Sequence, residues 1–155
     1  MTDSTLTAAA AGPAMPANVE ELAQRLPGFV SGARWFWWIA GLSAVNVACD
    51  LAHANVNFVL GLAFTLIAHG AFAANIGMAL VVDALFIGGF WFIGQQAQKG
   101  RTWAFALGAV VYAIDGLVYL KYQDWMPVAF HALALFYIGK AFINLQAAKK
   151  ATGIR

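Results

Sequence analysis

Charge is what this sequence has least of. Only 10% of its 155 residues are Asp, Glu, Lys or Arg, whereas 62% are hydrophobic. A soluble domain carries about a quarter charged residues and about half apolar ones. So small a charged share cannot cover a water-facing surface, which excludes a soluble globular enzyme and points to an integral membrane protein. Cysteine is nearly missing as well. Cys49 stands alone, so an intramolecular disulfide, a CxxC redox pair and a multi-cysteine zinc site are excluded. Basic charge is sparse and scattered. Nine Lys and Arg against seven Asp and Glu give a formal +2, without the patch or stripe that nucleic acid needs. There is no HExxH, no P-loop, no GxSxG and no Rossmann glycine fingerprint. The connecting segments are too short for an active site outside the membrane. The chain is therefore expected not to be an enzyme, and any chemistry has to use the bundle interior.

Long apolar runs are what is present. Five segments run from about Arg34 to Ala52, Asn57 to Ala74, Gly77 to Gly94, Thr102 to Leu120 and Trp125 to Leu145. Each has about 18 to 21 residues, which at ~1.5 Å rise fits a hydrocarbon core of ~30 Å. They must be helices, because isolated strands leave their backbone unsatisfied in lipid. The expected fold is an all-α integral membrane bundle with five transmembrane helices. The weakest separator is the one near Asn75. If it fails, segment 57–74 is re-entrant and four crossings remain.

The rest of the chain divides simply. Residues 1–17 are rich in Ala, Thr and Pro and read as a disordered tail. Residues 18–28 read as a short interfacial helix, with Asn18 as its cap and Glu21 three residues on. Residues 29–147 form the bundle, and 148–155 a basic tail. Trp35, Trp37, Trp38, Trp91, Trp103 and Trp125 lie near segment ends, as in the aromatic belts of membrane proteins. With five crossings, Lys99, Arg101, Lys149, Lys150 and Arg155 share one side, and Arg25, Arg34 and Lys121 the other. With four, only Lys121 is left outside. Both readings place the C-terminus in the cytoplasm of a bacterial inner membrane, and they differ over the N-terminus.

Two patterns concern packing. Ala40, Ala44, Ala48 and Ala52 recur every four residues, a spacing that lets helix backbones approach closely; with five helices offering many partners, the contact is expected inside the bundle rather than between copies. Gly108, Tyr112, Asp115, Tyr119 and Tyr122 fall on one stripe of the fourth segment, as a polar helix seam or a ligand-lining surface. A faint repeat relates Arg34 to Gly41 with Arg101 to Gly108, and Asn57-Phe58 with Asp124-Trp125. With one helix between the two hairpins it would be an inverted repeat of the transporter kind.

His69, Asp83, Asp115 and His131 fall inside apolar segments. Counted from segment ends, all four sit at a similar depth, about 8 to 9 Å in, on the same side. A charge in hydrocarbon costs at least ~2.5 kcal/mol, so such groups pair inside a bundle. They are expected to form one cluster, Asp83 and Asp115 facing each other or a shared cavity, with His131 close by and Tyr112 and Tyr119 in reach. The cluster could be a network that locks the helices, a proton or ion path, or a site for a small ligand or a divalent metal. No other cofactor is expected. Cys49, Asp50 and His53 are expected at the opposite face as a solvated helix end, and Lys140 as a snorkelling residue.

The run RTWAFALGAVVYAIDGLVYL, followed by QDWMPVAFHALALF, resembles small uncharacterised bacterial multi-pass membrane proteins over residues 34 to 145. The resemblance implies an all-helical membrane bundle and carries no catalytic residue across. Length and span count are similar to those of small drug exporters and of five-helix sterol or porphyrin binders. Their diagnostic motifs are missing, so their functions are not carried over. The leading expectation is an accessory or scaffolding subunit whose partners are the bilayer and a second copy or another membrane protein. The alternative is a small proton-linked transporter, or a ligand- or metal-binding protein, built on the Asp/His cluster.

Overall fold

The computed structural model describes residues 15–54 and 61–154. The described residues form six α-helices and no strand: α1 Val19–Arg25, α2 Phe29–Leu51, α3 Ala63–Ala71, α4 Ile76–Gln98, α5 Thr102–Lys121 and α6 Trp125–Thr152. Among them α4, α5 and α6 are long and apolar enough to cross a membrane. The expectation of five such helices is corrected to three. The α2 helix has 23 residues, as α4 does, but it carries Arg34, Ser43, Asn46 and Asp50 and is less apolar. Among the described residues of the second segment the helix is α3, with nine residues. That is ~14 Å, about half a hydrocarbon core, so α3 does not cross. The start expected at Asn57 lies outside the described residues, as do 1–14 of the N-terminal tail.

Local chemistry sets the boundaries. The Asn18 side chain accepts from the Glu21 amide at 2.8 Å and so caps α1. Asn75 does the same for α4, accepting from Met78 at 3.3 Å, so the separator that looked weakest is a helix cap. Pro127 falls in the first turn of α6, where no amide is needed. That helix continues through 148–152, residues expected to be tail.

The short α1 fixes which helix ends lie together. Gln24 donates to the Gln98 carbonyl at 3.2 Å. The turn between α4 and α5 passes so close to α1 that a Cβ on Gly100 would sit 2.7 Å from Val19. Gly100 also has φ +72°, a second reason for glycine there. On α2, Gly32 lies against Ala141 of α6. The start of α2, the end of α4 and the later part of α6 therefore share one end of the bundle. Arg25, Arg34, Lys99, Arg101, Lys149 and Lys150 gather towards it. At the other end lie the end of α2, the α3–α4 turn and the α5–α6 turn, with Asp50 and Asp124 and with Lys121 the one Lys or Arg among the described residues there.

This arrangement corrects two further expectations. A five-crossing chain would put Arg25 and Arg34 opposite Lys99 and Arg101, whereas they share an end. Because α2 and α5 both start at that end they run the same way, and α3 has nine residues against 28 in α6. The two hairpins are not an inverted repeat.

The half of the core nearer the basic end is aromatic. Phe36 packs on Phe105 and Phe90 with ring centroids 5.9 and 6.3 Å apart, and Phe29 packs on Phe105 at 5.6 Å. Gly108 lies directly against the Phe36 ring. The α5 stripe is a packed seam through Gly108, Tyr112, Asp115 and Tyr119, while Tyr122 at its end is exposed. The alanine stripe behaves differently. Ala40 is buried, but Ala44, Ala48 and Ala52 are exposed, as is Gly41. The internal packing expected of it is not what is observed.

Candidate functional site

The polar residues of the interior organise around α3. A helix begins with amides that lack intrahelical acceptors, and those of α3 begin deep in the bundle. Asp115 of α5, fully buried, meets two of them. Its Oδ2 accepts from Ala63 and its Oδ1 from Phe64, both at 2.9 Å. Ser43 of α2 accepts from the Leu62 amide at 2.8 Å and donates to the Ile39 carbonyl at 2.8 Å. Thr65 donates back to the Leu62 carbonyl at 2.7 Å. A carboxylate at a helix N-terminus also faces the positive end of the helix dipole.

His131 of α6 completes this group. Its Nε2 lies 3.0 Å from Asp115 Oδ2 and its Nδ1 2.8 Å from the Pro127 carbonyl oxygen. A carbonyl only accepts, so Nδ1 carries a hydrogen. The Nε2–Oδ2 contact then holds one further proton between imidazole and carboxyl, and the pair as a whole is neutral. That neutrality lowers the cost of burying it. Tyr112 stacks on the imidazole at 4.1 Å and Tyr119 lies 5.3 Å from it. A Cβ on Gly116 would be 3.1 Å from the ring. Tyr119 donates to the Gly61 carbonyl at 3.5 Å, tying α5 to the entry of α3.

The other end of α3 carries His69. Its Nε2 lies 2.7 Å from Asp83 Oδ2 on α4, and its Nδ1 is bonded to Asp50 at the end of α2. Side-chain exposure falls along this line from 56% at Asp50 to 14% at His69 and 2% at Asp83. The second Asp83 oxygen, Oδ1, is buried and has no partner among the described residues. Burial alone would lower the His69 pKa, but the bonds and charges of Asp83 and Asp50 outweigh it and hold the imidazole above its ordinary value. A cavity of about 10 Å³ lies beside this line, bounded by Asn46, Asp50, Thr65 and His69 among others. That is room for about one water molecule.

The single expected cluster is thus two groups, one at each end of α3. Asp83 pairs with His69 and Asp115 with His131. In place of the expected cluster around Asp83 and Asp115, each carboxyl is bonded to a different histidine. Asp50 is also moved. It was expected at the opposite face, but because α3 returns towards the end of α2, His69 meets it. Cys49 is half-buried and His53 is exposed with φ +53°. Sequence reasoning missed Ser43. Nothing marks one serine in an apolar helix as the acceptor for an amide 19 residues later. Among the described residues no three His, Cys, Asp or Glu side chains are placed to hold a metal ion. His69 turns one nitrogen to each carboxylate, so these donors do not converge on one point.

Comparison with protein-family models, with characterised proteins and with solved structures gives no match. The functional reading therefore rests on the geometry.

Proposed function

We propose that this chain is a small, non-enzymatic multi-pass protein of the bacterial inner membrane that acts as a scaffolding or accessory subunit. The observation that carries the reading is the outer face of α2. Gly41, Ala44, Ala48 and Ala52 lie exposed on it, and a Cβ on Gly41 would meet nothing within 4 Å. Small side chains on an outward face let a second helix approach closely in lipid, where packing rather than hydrophobicity drives association. In this reading α2, though less apolar than α4, α5 and α6, crosses with them, since it matches α4 in length and keeps Ser43 and Asn46 buried; α3 is re-entrant, and the basic end is cytoplasmic by the positive-inside rule. Cross-linking and native mass spectrometry after mild extraction test the assembly. A dimer or a co-purifying membrane partner, lost in the Ala44→Leu plus Ala48→Leu variant, is the expected outcome; a monomer without partner under every mild condition refutes it. An impermeant thiol reagent should fail to label a cysteine placed at Ser4 in intact cells, and a C-terminal reporter should be active only in the cytoplasm.

A second reading is favoured by one observation, the line from exposed Asp50 through His69 to buried Asp83 with its unpartnered oxygen. Such a line can pass protons between water and the interior, as a proton-linked transporter needs. Proton flux in liposomes, abolished by Asp83→Asn, would support it; the absence of flux in the wild-type chain would remove it.

A further inference from the structure

A hollow in the outer seam between α2 and α6 near the basic end is continued by one on the face of α2 and one on the face of α6. One of about 340 Å³ is bounded by Arg34, Trp38 and Leu42, and it shares Ser31 with the next. The central one, of about 260 Å³, reaches from Gly28 across to Lys140 and Asn144. The third, of about 360 Å³, shares Lys140 and Asn144 and follows Leu135, Gly139 and Ile143. Behind them α2 and α6 touch at Gly32 and Ala141.

The layout has a direction. Going from Ser31 to Leu42 along α2 leads away from the basic end. So does going from Asn144 back to Leu135 along α6. Two largely apolar arms, one on α2 and one on α6, thus lead away from one polar head. That head holds two cations, Arg34 and Lys140, neither with a carboxylate partner among the described residues. It also opens on the first turn of α2, the positive end of that helix dipole. Trp38, 63% exposed, flanks one arm, an amphipathic ring of the type enriched at headgroup level.

We propose that this seam binds one anionic phospholipid, with its phosphate in the central hollow at Lys140 and Asn144, Arg34 on its flank, and one acyl chain in each arm. Charge complementarity selects the occupant. A zwitterionic lipid would fill the arms but leave two cations uncompensated, and a free phosphate would leave the arms empty.

Native mass spectrometry of the intact chain, from micelles holding equal phosphatidylglycerol and phosphatidylcholine, tests this. The wild-type chain should retain phosphatidylglycerol preferentially. Arg34→Gln and Lys140→Gln should each reduce that preference roughly fivefold, and Lys140→Arg should keep it. Gly139 faces open space, so Gly139→Leu should obstruct one arm and lower retention of both lipids. Both cations are exposed, so circular dichroism should show the same helix content in every variant. Equal retention of the two lipids by the wild type, or an unchanged preference in the double Gln variant, overturns the proposal. So does displacement of the lipid by excess inorganic phosphate, which would mark a site for the free anion.

Discussion

The two ends of α3 are held by the same pair of residue types and are built to opposite specifications. At the inner end the Asp115 carboxyl, with His131, meets the first amides of the helix, and every partner lies deep in the bundle. At the outer end His69 sits between a buried and an exposed carboxylate, and Asp83 Oδ1 is left without a partner. The difference shows that a buried Asp–His pair has no fixed meaning. Where its hydrogen-bonding capacity is spent on backbone it fixes a fold. Where part of it is unspent and one member meets an exposed carboxylate, it has the layout that the second proposed reading needs.

The largest break in this comparison should come from Asp115→Ala. It strips the acceptors from Ala63 and Phe64 and leaves His131 without its carboxyl, so unfolding in mixed micelles should show a loss of about 3–5 kcal/mol. Asp115→Asn keeps one acceptor oxygen and should lose about 1–3 kcal/mol. If Asn costs as much as Ala, the proton shared with His131 matters more than the amides.

Ser43→Ala removes the acceptor of a single amide. Interhelical hydrogen bonds in membranes average about 0.6 kcal/mol with a maximum near 1.7, and the loss should fall in that range. The same unfolding measurement checks it.

At the outer end the sharpest probe is pH. The His69 pKa is raised in the folded chain. Its contribution to stability is therefore complete below the ordinary value of 6.5 and is lost as pH rises through the higher folded value. Stability of the wild type should fall with pH above about 6.5, and His69→Gln should flatten that slope. A slope that persists in His69→Gln would assign it elsewhere. Asp50→Asn, at a half-exposed site, should cost the least, a few tenths of a kcal/mol.

The all-α class was legible because apolar runs long enough to cross a membrane have to be helical there. Three of the apolar runs are long helices of the expected kind, and Asn18 and Asn75 are helix caps as their side chains allow. Depth counting was also sound in part, since Asp115 and His131 do meet. It failed at Asp83 and Asp50 because it assumed that residues 57–74 form one straight crossing. Apolar character alone does not distinguish a crossing helix from a half-helix that turns back inside protein. That choice is made by Asp115 and Ser43, whose acceptors allow a helix to begin in the interior, and they stand 52 residues after Ala63 and 19 before Leu62. The alanine stripe misled for a related reason. Spacing shows which residues share a face, but not which way the face turns.

In the membrane reading proposed above, the separation of Asp115 from Ala63 also sets an order of biogenesis. Ribosomes release the chain from its N-terminus, and α3 leaves the exit tunnel before α5 and α6 have been made. Until Asp115 and His131 have followed, the Ala63 and Phe64 amides have no acceptor from those helices, and hydrocarbon penalises bare amides by several kcal/mol. In that reading the half-helix waits, at the headgroups or within the insertion machinery, and enters the bundle only when α5 and α6 arrive. A chain truncated after α4 would retain α2, Ser43 and every residue of α3, yet lack the carboxyl that lets α3 start inside.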